Sequence, residues 1–452
     1  MDPLTILRQR PCRQLTVSFT AGILLLIIYL TYRRPVPGKP SFYRAPLPKT
    51  GSSSRTRHFD NLHLDDAQCK AAFPGLTKDI DDMVAMGPFP LGYETRPDST
   101  MLVRLEKGQL YIVHHETDKD IMAPPYRDAR LAALHQIHRA VLTSPIPPPD
   151  TVLAVNVLDG PRNDTLSYSR AAFGAAAPGS PLVTRAFLMP HFSFWGWPAL
   201  AFVGSFGLAA DAVAAQNTSF ETKDPRPVWR GTKRYNSAQY PQMRTDLLKV
   251  AGGQPWADVQ ELAWDAPDDR KGEAVATNAL RIQDFCKYKY VVHTEGITYS
   301  GRLQFLQLCE SVLLTPPMAW LQHTTHLVKP VYAQDLLGAA KRARASSSDR
   351  AWSPYPPSEA NAVFVAPDWS DLYDTVTWLE AHPDVAQGIA LRQRSLFWEQ
   401  GYLSPAAEAC YWRALIQGWA TVAQTTDEKW AKVPRGVPWE VFAMGYHDGV
   451  GD

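Results

Sequence analysis

Apolar residues recur along the chain at different spacings, and each spacing predicts a different element. Residues 14–32 carry no charge and centre on Ala21-Gly-Ile-Leu-Leu-Leu-Ile-Ile-Tyr-Leu30. A helix rising ~1.5 Å per residue over such a stretch nearly crosses a ~30 Å hydrocarbon layer. The span 15–32 is therefore expected to be an uncleaved membrane anchor, with a cleaved signal peptide as the alternative; no small-x-small site follows it. Helical spacing recurs at 78–86 and more strongly at 127–142. A continuous apolar run at 151–158, bounded by turn residues, has the profile of a strand buried on both faces. Residues 225–232 read as a short strand and turn. Residues 286–316 read as a βαβ unit: strand 288–294, turn 295–301, helix 302–310, strand 311–315.

The composition fits this layered reading. The 452 residues suggest two or three domains, and 45% hydrophobic against 20% charged residues supply ample core. Lys+Arg total 46 and Asp+Glu 45, a net charge of +1, which gives a nucleic-acid partner no support. The 38 prolines cluster in connections, and residues 339–358 read as a surface insertion. Arg33, Arg34, Lys39, Arg44 and Lys49 outnumber Arg8, Arg10 and Arg13, so charge alone places the C-terminus in the cytosol. Two features oppose it. Asn163-Asp-Thr165 and Asn217-Thr-Ser219 are N-glycosylation acceptors, and Cys69, Cys286, Cys309 and Cys410 make an even set beyond the anchor, suited to two disulfides. A lumenal C-terminal part is expected, with residues 33–60 as a stem.

Asp159 follows the strand at 151–158, at the carboxyl end where open α/β sheets place ligands; a turn-forming Asp before Gly-Pro is the alternative. The aromatic loop at 190–198 offers Trp195 and Trp197 as an acceptor-sugar platform, with core packing as the alternative. In the βαβ unit Ser300 is expected to cap the helix, and Arg302 in its first turn either grips an anion or lies on the surface. The same topology puts Cys286 and Cys309 at one end of the unit, where they can pair. Cys69 and Cys410 then pair by elimination among three possibilities. Asp79-Ile-Asp81 opens an amphipathic segment and is assigned no metal.

Cys286-Lys-Tyr-Lys-Tyr, His293-Thr-Glu-Gly296, Ser300-Gly-Arg302, Trp229-Arg-Gly-Thr232, Asn156-Val-Leu-Asp159 and Pro367-Asp-Trp-Ser-Asp371 together resemble the capsule-associated xylosyltransferase and protein O-glucosyltransferase family, glycosyltransferase family 90, in its fungal form. The resemblance covers roughly 150–400. It implies an α/β, GT-B-like fold: two Rossmann-like domains facing a cleft, at 61–225 and 226–394, with helices at 395–452 crossing back to the first. It implies an inverting transfer of xylose or glucose from a UDP-sugar to a glycan or glycoprotein hydroxyl. Asp159 matches the catalytic base. Arg230, Gly231 and Thr232 match the nucleotide-binding turn, and Ser300, Gly301 and Arg302 match the diphosphate contacts. His293, Glu295 and Gly296 are further cleft candidates. No cofactor or metal is expected, and an N-terminal anchor preceded by a tail at 1–14 points to a type II Golgi protein. The rivals are a glycoside hydrolase using Asp159 and Glu295, and a non-catalytic carbohydrate binder.

Overall fold

A computed structural model describes residues 59–93, 100–115, 124–172, 185–197, 200, 202–216, 218–264, 276–338, 352–425 and 428–445. The expected tail and anchor, nearly all of the stem, Asn217 and most of the 339–358 insertion lie outside these residues. Among the described residues no helix is long and apolar enough to cross a membrane.

The first helices of the described residues are the short α1 (Asp66–Ala72) and α2 (Lys78–Val84). Asp65 and Gln68 cap α1 reciprocally, side chain to backbone in both directions, so the seven-residue helix starts at a defined place. Strands β1 (Thr100–Glu106) and β2 (Gln109–His114) form a hairpin around Lys107 and Gly108, both at positive φ, which matches the twist of the paired strands. Helix α3 (Pro124–Leu142) then leads to β3 (Thr151–Asn156), β4 (Thr165–Ser167) and β5 (Ala186–Leu188). β3 runs antiparallel to β1 and parallel to β4, so half of this first sheet departs from a purely parallel Rossmann-like arrangement. Its inner strands β1 and β3 are buried almost throughout; the run Val152–Val155 of β3 is wholly apolar, while Arg104 interrupts that of β1.

The second sheet is wholly parallel and has the order β10-β11-β9-β8-β6-β7. Its strands are β6 (Asp224–Gly231), β7 (Asp258–Glu261), β8 (Tyr288–Val292), β9 (Val312–Thr315), β10 (Pro330–Tyr332) and β11 (Ala362–Phe364). β6 begins at Asp224, so the expected 225/226 boundary falls inside the first strand of this sheet. Helices α4 (Phe206–Ala214), before it, and α5 (Met243–Ala251), between β6 and β7, pack along the crossovers.

The βαβ unit is present, but its helix α6 is only Leu303–Leu306, where nine residues were expected. Its N-cap is Arg302 and has no side-chain cap, which corrects the role given to Ser300. The segment has few residues in which to turn back to β9. It tightens into i→i−3 bonds at Leu308 and Cys309, while the Gln393 amide takes up the carbonyls of Leu306, Cys309 and Ser311.

After α7 (Leu372–Ala381) and α8 (Pro383–Arg394) the chain enters α9 (Pro405–Val422), capped by Ser404. This helix lies against the first sheet: Trp412 donates to Gln136 (3.1 Å), Trp419 to the Val152 carbonyl (2.8 Å) and Tyr411 to the Leu188 carbonyl (2.9 Å). A last strand, β12 (Val437–Pro438), closes the first sheet in the order β12-β2-β1-β3-β4-β5. Both disulfides join the expected partners. Cys286 and Cys309 sit 4.7 Å apart at Cα, and Cys69 and Cys410 5.6 Å, the latter bridging 341 residues from α1 to α9.

Candidate functional site

The carboxyl ends of β3 in the first sheet and of β6 and β8 in the second border one cavity of about 630 Å³, the size of a small-molecule pocket. On the first-sheet side the turn after β3 is held by Asn156. Its amide donates to the Gly160 carbonyl (2.7 Å) and Ser167 Oγ (3.2 Å), and its oxygen accepts from the Leu158 N–H (3.3 Å). Asn156 thus does the work that a turn-forming Asp159 would have done. The Asp159 backbone carbonyl accepts from Thr298 Oγ1 (3.0 Å) and Ser169 Oγ (3.3 Å). No hydrogen bond or ion pair to a described residue engages its carboxylate, which borders the cavity. Asp159 is solvent-accessible, yet the surrounding protein withholds enough water to raise its carboxyl above the usual range. Its charge, added to burial, pushes the phenols of Tyr168 and Tyr299 up as well.

The second-sheet side is cationic. Arg302 donates from Nη1 to the Arg230 carbonyl, and its guanidinium lies 5.9 Å over the Trp229 ring. Burial lowers it to about 10, so it stays charged at neutral pH. Arg244, in the first turn of α5, was not among the sequence candidates. Its Nε donates to the Glu295 carbonyl (3.0 Å) and its Nη1 to the Thr232 carbonyl (2.9 Å), with the rest of the fork left at the cavity wall. Burial, then the charge of Arg302, lowers it to about 9. The missed signal is that Arg244 shares the buried face of α5 with Leu247 and Ala251, at helical spacing.

Arg230 borders the cavity with Arg302 and Arg244, but its guanidinium is engaged within the protein. Its guanidinium pairs with Asp258 (2.8 Å) and donates to the carbonyls of Asn278 (3.1 Å), Trp229 (3.0 Å) and Asp258 (2.8 Å), so it braces β6 against β7. Arg230, Gly231 and Thr232 of this turn all border the cavity. A Cβ at Gly231 would lie 2.4 Å from the Trp229 ring, so only glycine lets the strand pass there.

Ser300, Gly301 and Gly296 also line the cavity, as does Trp197. Trp195 does not: it stacks on His135 at 4.7 Å with Arg139 5.1 Å over its face, on the outside of the first domain. His293 is buried away from the cavity, its imidazole driven down to about 3 by burial and by Arg302 and Arg244. Glu295 is likewise enclosed. It accepts from the Trp320 N–H (2.8 Å), and burial raises its carboxyl to about 8. Asp159 and Glu295 therefore do not share the cavity as a hydrolase pair requires. Asp79 is taken up by Arg170 (2.9 Å) and His326 (2.9 Å). Asn163 is exposed, its side-chain oxygen accepting from the Arg185 N–H (3.0 Å). Away from Asp159 and the arginines the walls turn apolar, with Phe202, Trp264, Leu280 and Phe285.

A carboxylate without a partner bordering the same cavity as the Arg302 and Arg244 guanidiniums is a pattern for moving a group from an anionic carrier to a hydroxyl. The profile of glycosyl transferase family 90 matches residues 93–333, more than half of the chain, and the protein belongs to that family. It is 23% identical over 290 residues to the O-glucosyltransferase rumi homolog of Anopheles gambiae, covering 62% of this chain and 64% of that protein. To the O-glucosyltransferase rumi of Drosophila melanogaster it is 23% identical over 320 residues, 66% of this chain and 68% of that one. To protein O-glucosyltransferase 1 of Bos taurus it is 23% identical over 274 residues, 59% and 62% respectively. The chain thus spans a little under two thirds of the length of the first of these relatives.

Proposed function

We propose that the protein is an inverting glycosyltransferase of GT-B architecture that moves glucose from UDP-glucose to a hydroxyl of a protein acceptor. The observation carrying this reading is the unpartnered Asp159 carboxylate, which borders the same cavity as Arg302 and Arg244. Asp159 takes the proton of the acceptor hydroxyl, and the freed oxygen attacks C1 of the sugar. As that bond forms, the bond from C1 to the phosphate oxygen breaks and its electron pair leaves with UDP. Arg302 and Arg244 meet the charge growing on the diphosphate; no metal is called on in this scheme. The nucleoside fits the apolar end at Phe202, Trp264 and Leu280. The names of the relatives favour glucose over xylose as the transferred sugar.

In the same reading the catalytic part works in the lumen of the secretory pathway, held there by a helix at 15–32. The two disulfides and the exposed Asn163 sequon support that side of the membrane. The test is a panel of UDP-sugars offered to the purified protein, with binding, hydrolysis and transfer followed together. UDP-glucose should turn over fastest. Absence of turnover with every UDP-sugar, alongside retained glycan binding, would instead mark a binder.

A further inference from the structure

Beyond Asp159 and the arginines, the cavity wall contains one polar side chain whose chemistry is fixed and unused. His191 is 4% exposed and follows β5 on the first-sheet side. Its Nδ1 accepts from the Ser193 backbone N–H at 3.2 Å, which a nitrogen carrying a proton cannot do. Ser193 Oγ, 2.8 Å from the same nitrogen, itself accepts from the Gln304 amide (2.6 Å), so the hydroxyl proton points at Nδ1. The ring is neutral, because burial and then the charge of His323 lower it to about 3. Its single proton is therefore on Nε2.

That nitrogen has no described acceptor and is not sealed in the core, so it opens to the cavity. It lies over Gly301, where a Cβ would come within 2.6 Å of Nε2 and 2.5 Å of Cε1. The lack of a side chain at 301 lets the imidazole edge reach the pocket. Gln136 fixes the backbone beneath by donating to the His191 carbonyl (3.0 Å). A histidine present only for packing would have both nitrogens satisfied, or neither; here one is held by two donors and the other is left open.

Gly301 directly precedes Arg302, and the His191 ring lies 5.5 Å from Tyr299 and 5.4 Å from Tyr168, the two phenols that feel the Asp159 charge. The part of a nucleotide sugar that bridges a diphosphate at Arg302 to a base at Asp159 is the sugar itself. We infer that His191 is a positioning residue whose Nε2–H donates to a hydroxyl oxygen of the transferred sugar, holding it between Arg302 and Asp159. The inference rests on the reading of the cavity as a UDP-sugar site.

Calorimetry with UDP and with UDP-glucose on the full-length protein separates the two claims. His191→Phe keeps a ring and removes the donor. UDP affinity should stay at the wild-type level while UDP-glucose binds about tenfold more weakly, the usual effect of one neutral hydrogen bond. His191→Gln, whose amide places an N–H near the same point, should recover part of the loss and melt close to the wild type. Ser193→Ala, which removes one of the two donors that hold Nδ1 and leaves the backbone N–H, should give a smaller loss of UDP-glucose affinity alone. Unchanged UDP-glucose affinity in folded His191→Phe overturns the inference and leaves the UDP-sugar reading intact. So does an equal loss for UDP and UDP-glucose, which marks general repacking. A wild type that binds neither ligand removes the UDP-sugar reading, and this inference with it.

Discussion

Asp159 and Arg302 border one cavity but are held there in opposite ways. The carboxylate is placed by its backbone: Asn156 sets the turn, Thr298 and Ser169 grip the carbonyl, and the side chain is left with nothing to do but meet a ligand. The guanidiniums are placed by their own side chains, since Arg302 and Arg244 each spend N–H groups on backbone carbonyls and present what remains. A group that must take up and release a proton has to be unencumbered. A group that only supplies charge gains from being fixed, because its field then needs no reorganisation during the reaction.

The largest effect that could break this contrast is expected at Asp159. Asp159→Asn keeps the shape and removes the proton acceptor, so transfer should fall ~10²–10⁴-fold while UDP affinity stays near the wild type. Wild-type transfer by the folded variant would return Asp159 to the turn. Next come the arginines, where two identical residue types should respond differently. Arg302→Ala should weaken UDP binding ~10–100-fold, as loss of a charge-assisted fork does, with Lys recovering only part. Arg230→Ala should instead lower stability by about 1–3 kcal/mol, because it removes the charge partner of the half-buried Asp258, which keeps only the hydrogen bonds of Tyr288 and Gln260. Thermal melts and UDP titrations on both variants decide the matter; equal loss of UDP affinity at the two sites would erase the distinction.

The smallest effect is expected at Glu295, the enclosed carboxyl. Folding favours its protonated form up to about pH 8, whereas the unfolded chain ionises near 4.5. Its contribution to stability is thus complete below pH 4.5 and is lost as pH rises towards 8. Glu295→Gln stays neutral throughout, so its melting temperature should match the wild type at pH 5 and exceed it at pH 8, with transfer unchanged. A collapse of transfer in this variant would bring Glu295 into the chemistry.

Much of the frame was legible. The apolar runs at β3, β8 and β9 and the helical spacing at α3 reflect burial that depends on local pattern alone. The hairpin β1–β2 was missed although Lys107-Gly108 lies between two short, largely apolar segments. At the site, sequence could name Asp159 and Arg302 but could not separate them from Arg230. Arg230 borders the cavity too, and its guanidinium is tied up by a carboxylate 28 residues away on β7, a pairing that exists only once two strands lie side by side. Trp195 and Trp197 show the same limit. Two residues apart in one loop, one faces the pocket and the other stacks on α3, and nothing in their shared composition distinguishes them. The Ser300 cap failed because helix length is set here by how soon the chain must rejoin the sheet.

The bond between Cys69 and Cys410 turns the chain between them into a covalent ring. A single cut anywhere from 70 to 409, whether in a connection such as 339–351 or between the two sheets, opens the ring without releasing a fragment. A nicked molecule would travel as one particle until a reductant reached it, with both walls of the pocket still joined.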